Sequence, residues 1–170
     1  MLDKKIKTTD PKIVYDIGAH IGQFTRRCSG IVPRAKIYQF EANPNKEKIG
    51  DNWHTILLSN EDYKKMIFYY TDDSGDTYYK ETKEFLKSNY QEMELESRRL
   101  DSYTKEKNIP LPDFIKIDVQ GAELDILKGC DEILDHCRLI HCEIPAKGVI
   151  FSTGAPTQTE YFDFFEDRKS

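Results

Sequence analysis

Three things are missing from this chain, and each closes off a class of protein. No apolar run approaches the ~18 residues that a membrane-spanning helix needs, and residues 1–10 are polar and lysine-bearing without an apolar centre. Neither a membrane span nor a secretory leader is expected, and the cytoplasm is the expected compartment. No Cys-x-x-Cys pair occurs among Cys28, Cys130, Cys137 and Cys142, so these read as small core thiols and no metal site is expected from them. No cationic excess occurs either: 25 lysines and arginines face 30 aspartates and glutamates, a formal net charge of −5. That balance argues against a broad electropositive surface for DNA or RNA.

What remains is a chain of 170 residues with 38% hydrophobic and 32% charged content, enough for one domain with a modest core. We expect a single domain over residues 1–170, with residues 1–10 as a polar lead and residues 157–168 as a last helix.

Its organising stretch is residues 12–41. Ile13, Val14, Tyr15 and Ile17 form an almost unbroken β-branched and aromatic run, as in a strand buried on both faces of a parallel sheet. Gly18 and Gly22 bracket a tight turn with Ala19 and His20 between them, where positive φ and close approach of a ligand to the backbone are available. The helix that follows carries Ile21, Phe24, Cys28 and Ile31 at helical spacing, with Arg26 and Arg27 toward water. A second strand then ends in Glu41, about 25 residues beyond Asp16, close to the ~20 that separate a glycine turn from its ribose-binding acid in βαβ nucleotide sites. The dinucleotide fingerprint, however, needs a third glycine that is absent here. An adenosine ligand without a pyrophosphate suits this turn better.

The rest of the chain alternates in the same way. Residues 45–50 read as a short polar helix after Pro44, and residues 54–58 as a third strand that brings Ser59 and Asn60, or Trp53, near an adenine. Residues 65–71 are β-rich, and the acid- and glycine-bearing turn at 72–77 reads as a loop over an acceptor site or as an ordinary hairpin turn; its order of acids does not match a calcium loop. Residues 81–90 read as a surface helix and residues 93–100 as a mixed segment. Asp101 caps a helix through Lys107, and residues 114–119 form a fourth strand ending at Asp118, on the side where open α/β sheets hold ligands. Two helical pieces follow, 124–128 and 131–137, then a fifth strand at 139–144. Strand alternation places His141 and Glu143 on one face and Cys142 on the other. His141 reads either as a satisfied core histidine or as a titratable site group, and Thr157 or Thr159 caps the last helix.

Three segments together closely resemble FkbM-type methyltransferases: Val14 to Gly22, Phe114 to Gly129, and Ile140 to Glu143. The second is the most specific, with Lys116-Ile117-Asp118-Val119-Gln120-Gly121-Ala122-Glu123 standing where the family commonly has Glu in place of Gln120; the segment Gly75 to Glu81 is similar as well. The resemblance implies a class I, Rossmann-like three-layer α/β sandwich with a mostly parallel sheet in the order 3-2-1-4-5. It implies S-adenosyl-L-methionine as cofactor, bound by Asp16, Gly18, Ala19, His20, Gly22, Glu41 and Ser59. It also implies methyl transfer to a hydroxyl of a small acceptor such as a sugar or polyketide, with Asp118 first among Asp118, Glu143 and His141 as the groups that position or deprotonate the acceptor. Class I members usually add an antiparallel hairpin after the last helix, for which only Arg168 to Ser170 remain; either the sequence is truncated or the hairpin is lacking, and in both cases the fifth strand is expected as an exposed edge unless a loop or partner covers it. A module that binds the cofactor without transferring a methyl group is the competing expectation.

Overall fold

The computed structural model describes residues 1–71, 76–80, 90–149 and 152–168. In chain order the elements are α1 (Leu2–Thr9), β1 (Ile13–Ile17), α2 (Gln23–Ile31), β2 (Lys36–Glu41), β3 (Trp53–Thr55), β4 (Leu57–Leu58), β5 (Lys65–Tyr70), β6 (Gln91–Arg98), α3 (Leu100–Glu106), β7 (Phe114–Ile117), α4 (Glu123–Lys128), α5 (Asp131–His136), β8 (Leu139–Cys142) and α6 (Gln158–Asp167). Five of the strands form one sheet in the order β3-β2-β1-β7-β8, every neighbouring pair parallel. This is the expected 3-2-1-4-5 order, with the first strand at the centre.

Parallel neighbours place residues in register on the same face, so the register divides the strands into two faces. One face carries Val14, Ile37, Phe114 and Leu139, which pack with Ile6 of α1 and Cys28 and Val32 around α2. The other carries Tyr15, Ile17, Tyr38, Phe40, Ile115 and Ile117, buried against Leu100, Leu124, Leu127, Ile133 and Tyr161 from the remaining helices. Tyr15 and Phe40 meet at 5.0 Å between ring centroids, and Phe40 stacks on His54 at 5.2 Å. Helices therefore cover both faces, as an all-parallel sheet requires.

Five local expectations change. Residues 1–10 are not merely a polar lead, because α1 buries Ile6 and joins α2 through the Asp3–Arg27 ion pair at 2.7 Å. Residues 45–50 form turns and bends and no helix; Asn43 instead organises them by accepting from the Asn45 amide. The third strand is two: β3 stays with the main sheet while β4 leaves it to pair with β6, and between them the Ile56 amide still donates to the Glu41 carbonyl. Residues 91–98, within which lies most of the segment read as mixed, are strand β6, antiparallel to β5 from Lys65–Glu96 to Tyr70–Gln91. Ile21 lies ahead of α2 in the turn and is 41% exposed, so the apolar stripe begins at Phe24. The helix expected at 81–90 lies almost wholly outside the described residues. The last helix stands as expected, with Thr157 and Glu160 forming a reciprocal capping box.

Candidate functional site

Along the helix-α2 face of the sheet the side chains change from apolar to polar as the strands approach their carboxyl ends. Asp16 is in register with Gln39 on one side and Lys116 on the other, and Lys116 with His141. These four make one polar row across the sheet. Two residues further on, Glu41, Asp118 and Glu143 follow their strands on the same side. A cavity of about 530 Å³ opens over these ends, within the 300–1,000 Å³ usual for small-molecule sites.

The turn after β1 forms its floor. Gly18 has φ +71°, and a Cβ built there would lie 1.9 Å from the Asp118 carbonyl oxygen, so only glycine lets the β1 turn cross the end of β7. The Gly18 and Ala19 amides both donate to the Phe40 carbonyl, the His20 amide donates to Glu41 Oε2 at 2.8 Å, and the Gly22 amide to the Ala19 carbonyl. The turn thus spends these donors inside the protein. A pyrophosphate, which needs such amides free, is poorly served; a ligand that uses the turn for its shape is well served.

Glu41 stands beside that turn, 6% exposed, and its other oxygen accepts from the Asn43 amide at 2.9 Å. Burial pushes its carboxyl above the ordinary range, against the pull of the two amides. Each carboxylate oxygen keeps a second lone pair, so the fixed group can still accept from two hydroxyls. Asn43 extends the link, its side-chain amide donating to Asp76 Oδ2 at 2.8 Å while Asp76 Oδ1 accepts from the Thr71 amide. Asp76, Thr77 and Tyr78 reach the cavity wall, which places the described part of the expected loop over the site; residues 72–75 lie outside the described residues. Ile56, Leu57, Leu58 and Phe68 supply an apolar wall, and Leu2, Phe24 and Arg27 close the side below α1 and α2.

Of the residues expected at the site, Gly18, Ala19, His20, Glu41, Asp118 and His141 line this cavity. His141 is exposed, so the satisfied-core reading does not hold for it. Asp16 is fully buried beneath the turn, accepting from the Thr25 hydroxyl at 2.7 Å and facing Lys116 Nζ at 3.2 Å; burial raises its pKa and Lys116 opposes the rise. Gly22, with φ +71°, caps α2. Ser59 is buried beside Tyr78, and Glu143 is exposed at the end of β8. Asp16, Gly22, Ser59 and Glu143 therefore stand behind or beside the cavity wall.

Asp118, Glu123 and Glu143 bring one carboxylate oxygen each within 4.8 Å of one another. Glu123 is already held by the Val119 and Gly121 amides, each at 3.0 Å, and by the Tyr161 hydroxyl at 3.1 Å. It anchors the turn after β7, and its pKa is raised by burial.

The sequence reading gives no site role to Lys116 or Phe24, both of which line the cavity. The signal for Lys116 was a lone lysine inside the apolar strand Phe114–Ile117, since buried lysines require partners. For Phe24 no signal separated a cavity residue from a core residue.

Comparison with known proteins adds three findings. The model of the methyltransferase FkbM domain family matches residues 16–169. The 2-O-methyltransferase NoeI of Sinorhizobium fredii is 30% identical over 159 residues, 81% of this chain and 65% of its own length. The hexuronic acid methyltransferase AglP of Haloferax volcanii is 24% identical over 144 residues, 79% of this chain and 56% of its own. This chain thus spans less than two thirds of the length of these curated relatives. The crystal structure of methyltransferase FkbM from Methylobacillus flagellatus shares the fold, with a TM-score of 0.52 at 14% identity over 92% of this chain and 36% of that one.

Proposed function

The chain belongs to the FkbM methyltransferase family, and from that premise we propose that it moves a methyl group from S-adenosyl-L-methionine to a hydroxyl of a small acceptor, such as a sugar or polyketide. When bound, this cofactor would supply an electrophilic methyl group, whose carbon–sulfur bond breaks as its carbon–oxygen bond to the acceptor forms, with S-adenosylhomocysteine as the leaving thioether. Glu41 holds the ribose hydroxyls, the Gly18–Gly22 turn receives the cofactor at close range, and Ile56, Leu57, Leu58 and Phe68 cover the adenine. Asp118 takes the proton of the acceptor hydroxyl, with His141 beside it on the same wall. Positioning supplies much of the rate in such a displacement, and a general base contributes typically about 10²- to 10⁴-fold.

The observation that carries this reading is that Glu41, the Gly18 turn and Asp118 line one cavity. The glycine cradle and the buried acid with spare lone pairs fit an adenosine cofactor that carries no phosphate. Similarity to NoeI, a 2-O-methyltransferase, and to AglP, a hexuronic acid methyltransferase, supports a hydroxyl on a sugar-like acceptor. Four free cysteines suit a reducing compartment such as the cytoplasm. Among the described residues no helix is long and apolar enough to cross a membrane.

Calorimetry against S-adenosylmethionine, S-adenosylhomocysteine and NAD tests the reading directly. Binding of the first two and not of NAD is expected. Hydrogen bonds to a charged acceptor are worth roughly 1.5–3 kcal/mol each, so Glu41→Ala should weaken binding by about ten- to several-hundred-fold. Unchanged affinity in a folded Glu41→Ala protein would remove Glu41 from the ribose.

A further inference from the structure

Lys116 is 6% exposed in the middle of the sheet, an expensive place for an ammonium unless several acceptors meet it. It has them, and they are unequal in kind. Its Nζ donates to the Gly18 carbonyl at 2.9 Å and to the Ile17 carbonyl at 3.2 Å, and it pairs with Asp16 Oδ1 at 3.2 Å and Asp118 Oδ2 at 3.7 Å. The contact with Asp16 lacks hydrogen-bond alignment, since Asp16 Oδ1 has no hydrogen-bond partner. The directed bonds go to the two backbone carbonyls.

The Ile17 carbonyl already accepts the Asp118 amide at 3.1 Å. Gly18 is held from its other end, because its amide donates to the Phe40 carbonyl at 2.9 Å. With Lys116 on its oxygen, both polar ends of this residue are fixed at the point where the turn crosses β7. We infer that Lys116 is a positioning residue for the reaction: a single buried ammonium sets the orientation of the Gly18 peptide, and so the shape of the cofactor turn, from the strand that ends in Asp118. Removing the donor would orphan the Gly18 carbonyl and leave the Gly18–Ala19 peptide held at one end only, by the bond from the Ala19 amide to the Phe40 carbonyl at 3.1 Å. The inference rests on the reading of this turn as the cofactor's seat. Its ordinary competitor is that Lys116 does nothing beyond neutralising Asp16.

A comparison in one charge background separates the two. Asp16→Asn removes the buried carboxylate, after which Lys116→Gln retains an amide donor for the Gly18 carbonyl and Lys116→Met retains none. S-adenosylhomocysteine affinity is measured for Asp16→Asn/Lys116→Gln and Asp16→Asn/Lys116→Met, with thermal unfolding as the check on folding. The expected result is at least about tenfold weaker binding by the methionine variant than by the glutamine variant, because an orphaned acceptor costs about 1–3 kcal/mol and 1.4 kcal/mol is tenfold. Equal affinities in folded variants overturn the inference and leave charge neutralisation as the role. Should these variants not fold, Lys116→Arg carries the test, since it keeps the charge opposite Asp16 but its wide planar head does not reproduce the ammonium between two carbonyls. Weakened binding in folded Lys116→Arg supports the inference, and wild-type affinity overturns it. Failure of the wild-type protein to bind S-adenosylhomocysteine is a different result: it removes the cofactor reading, and this inference with it.

Discussion

The two rims of the cavity are built from the same residue type in opposite ways. At the β1–β2 rim, Glu41 is 6% exposed, takes one backbone amide on each oxygen, and is tied through Asn43 to Asp76. At the β7–β8 rim, the Asp118 side chain is 49% exposed, its contacts being Lys116 at 3.7 Å and the Gln120 amide at 3.4 Å. His141 and Glu143 beside it are exposed too. A carboxylate fixed by backbone amides recognises one constant shape; a carboxylate on an open wall accommodates whatever is brought to it. The difference teaches where invariance and variability reside. On the proposed function, the first rim would be the preorganised seat of the cofactor, and the second would leave room for an acceptor.

The largest blow to this arrangement should come from the residue at which the rims touch. Gly18→Ala combines positive φ with a Cβ 1.9 Å from the Asp118 carbonyl, backbone against backbone. Overpacking and left-handed strain each cost about 1–3 kcal/mol, so a loss of about 3 kcal/mol is expected, seen as a fall on the order of 10 °C in the unfolding midpoint. A midpoint within two or three degrees of wild type would show that the crossing yields easily. Next is Asp118→Asn, which should leave cofactor affinity near wild type while turnover falls at least about 100-fold. If affinity falls instead, the second rim is part of the cofactor seat and the contrast between rims disappears.

How much of this was readable beforehand follows from what each strand buries. That β1, β2 and β7 are strands buried on both faces is legible in their largely apolar runs, their order comes with strand–helix alternation and the family resemblance, and the glycine turn and Glu41 stand at the spacing such strands impose. Strand β6 is harder to see. Its residues Glu92, Glu94 and Glu96 face water and alternate with Met93, Leu95 and Ser97, a period-two pattern obscured by the weak β-propensity of glutamate. The split at Ile56 has no local signal, because it depends on β6 being there to receive Leu57 and Leu58. At the site, the acids at strand ends are legible from position alone. That Asp16 lies under the turn and not on the cavity depends on the lysine opposite it, a contact between strands 100 residues apart in the chain.

Acidity offers the subtlest separation of the rims. Burial raises the carboxyls of Glu41, Asp16 and Glu123, so each favours its protonated form in the folded protein relative to the unfolded chain. A group raised in this way contributes stability that is complete below its unfolded value, near 4.5 for Glu41, and is lost as pH rises through its folded value. His54 works in the other direction: burial lowers its pKa, so its contribution is present above its ordinary value of 6.5 and is lost as pH falls through the lowered one. Comparing wild type with Glu41→Gln cancels the terms the two proteins share. Relative to wild type, Glu41→Gln should gain stability as pH rises through the raised folded value of Glu41, because the variant escapes the cost of the buried charge that wild type then meets. Cofactor affinity should show the opposite trend in wild type, weakening as pH falls through that value, since a protonated Glu41 offers one acceptor fewer to the ribose. Glu41→Gln should show less of that dependence. Unfolding midpoints and calorimetric affinities on either side of that value measure both slopes, and parallel behaviour of the two proteins would mean that the charge of Glu41 is not what the first rim uses.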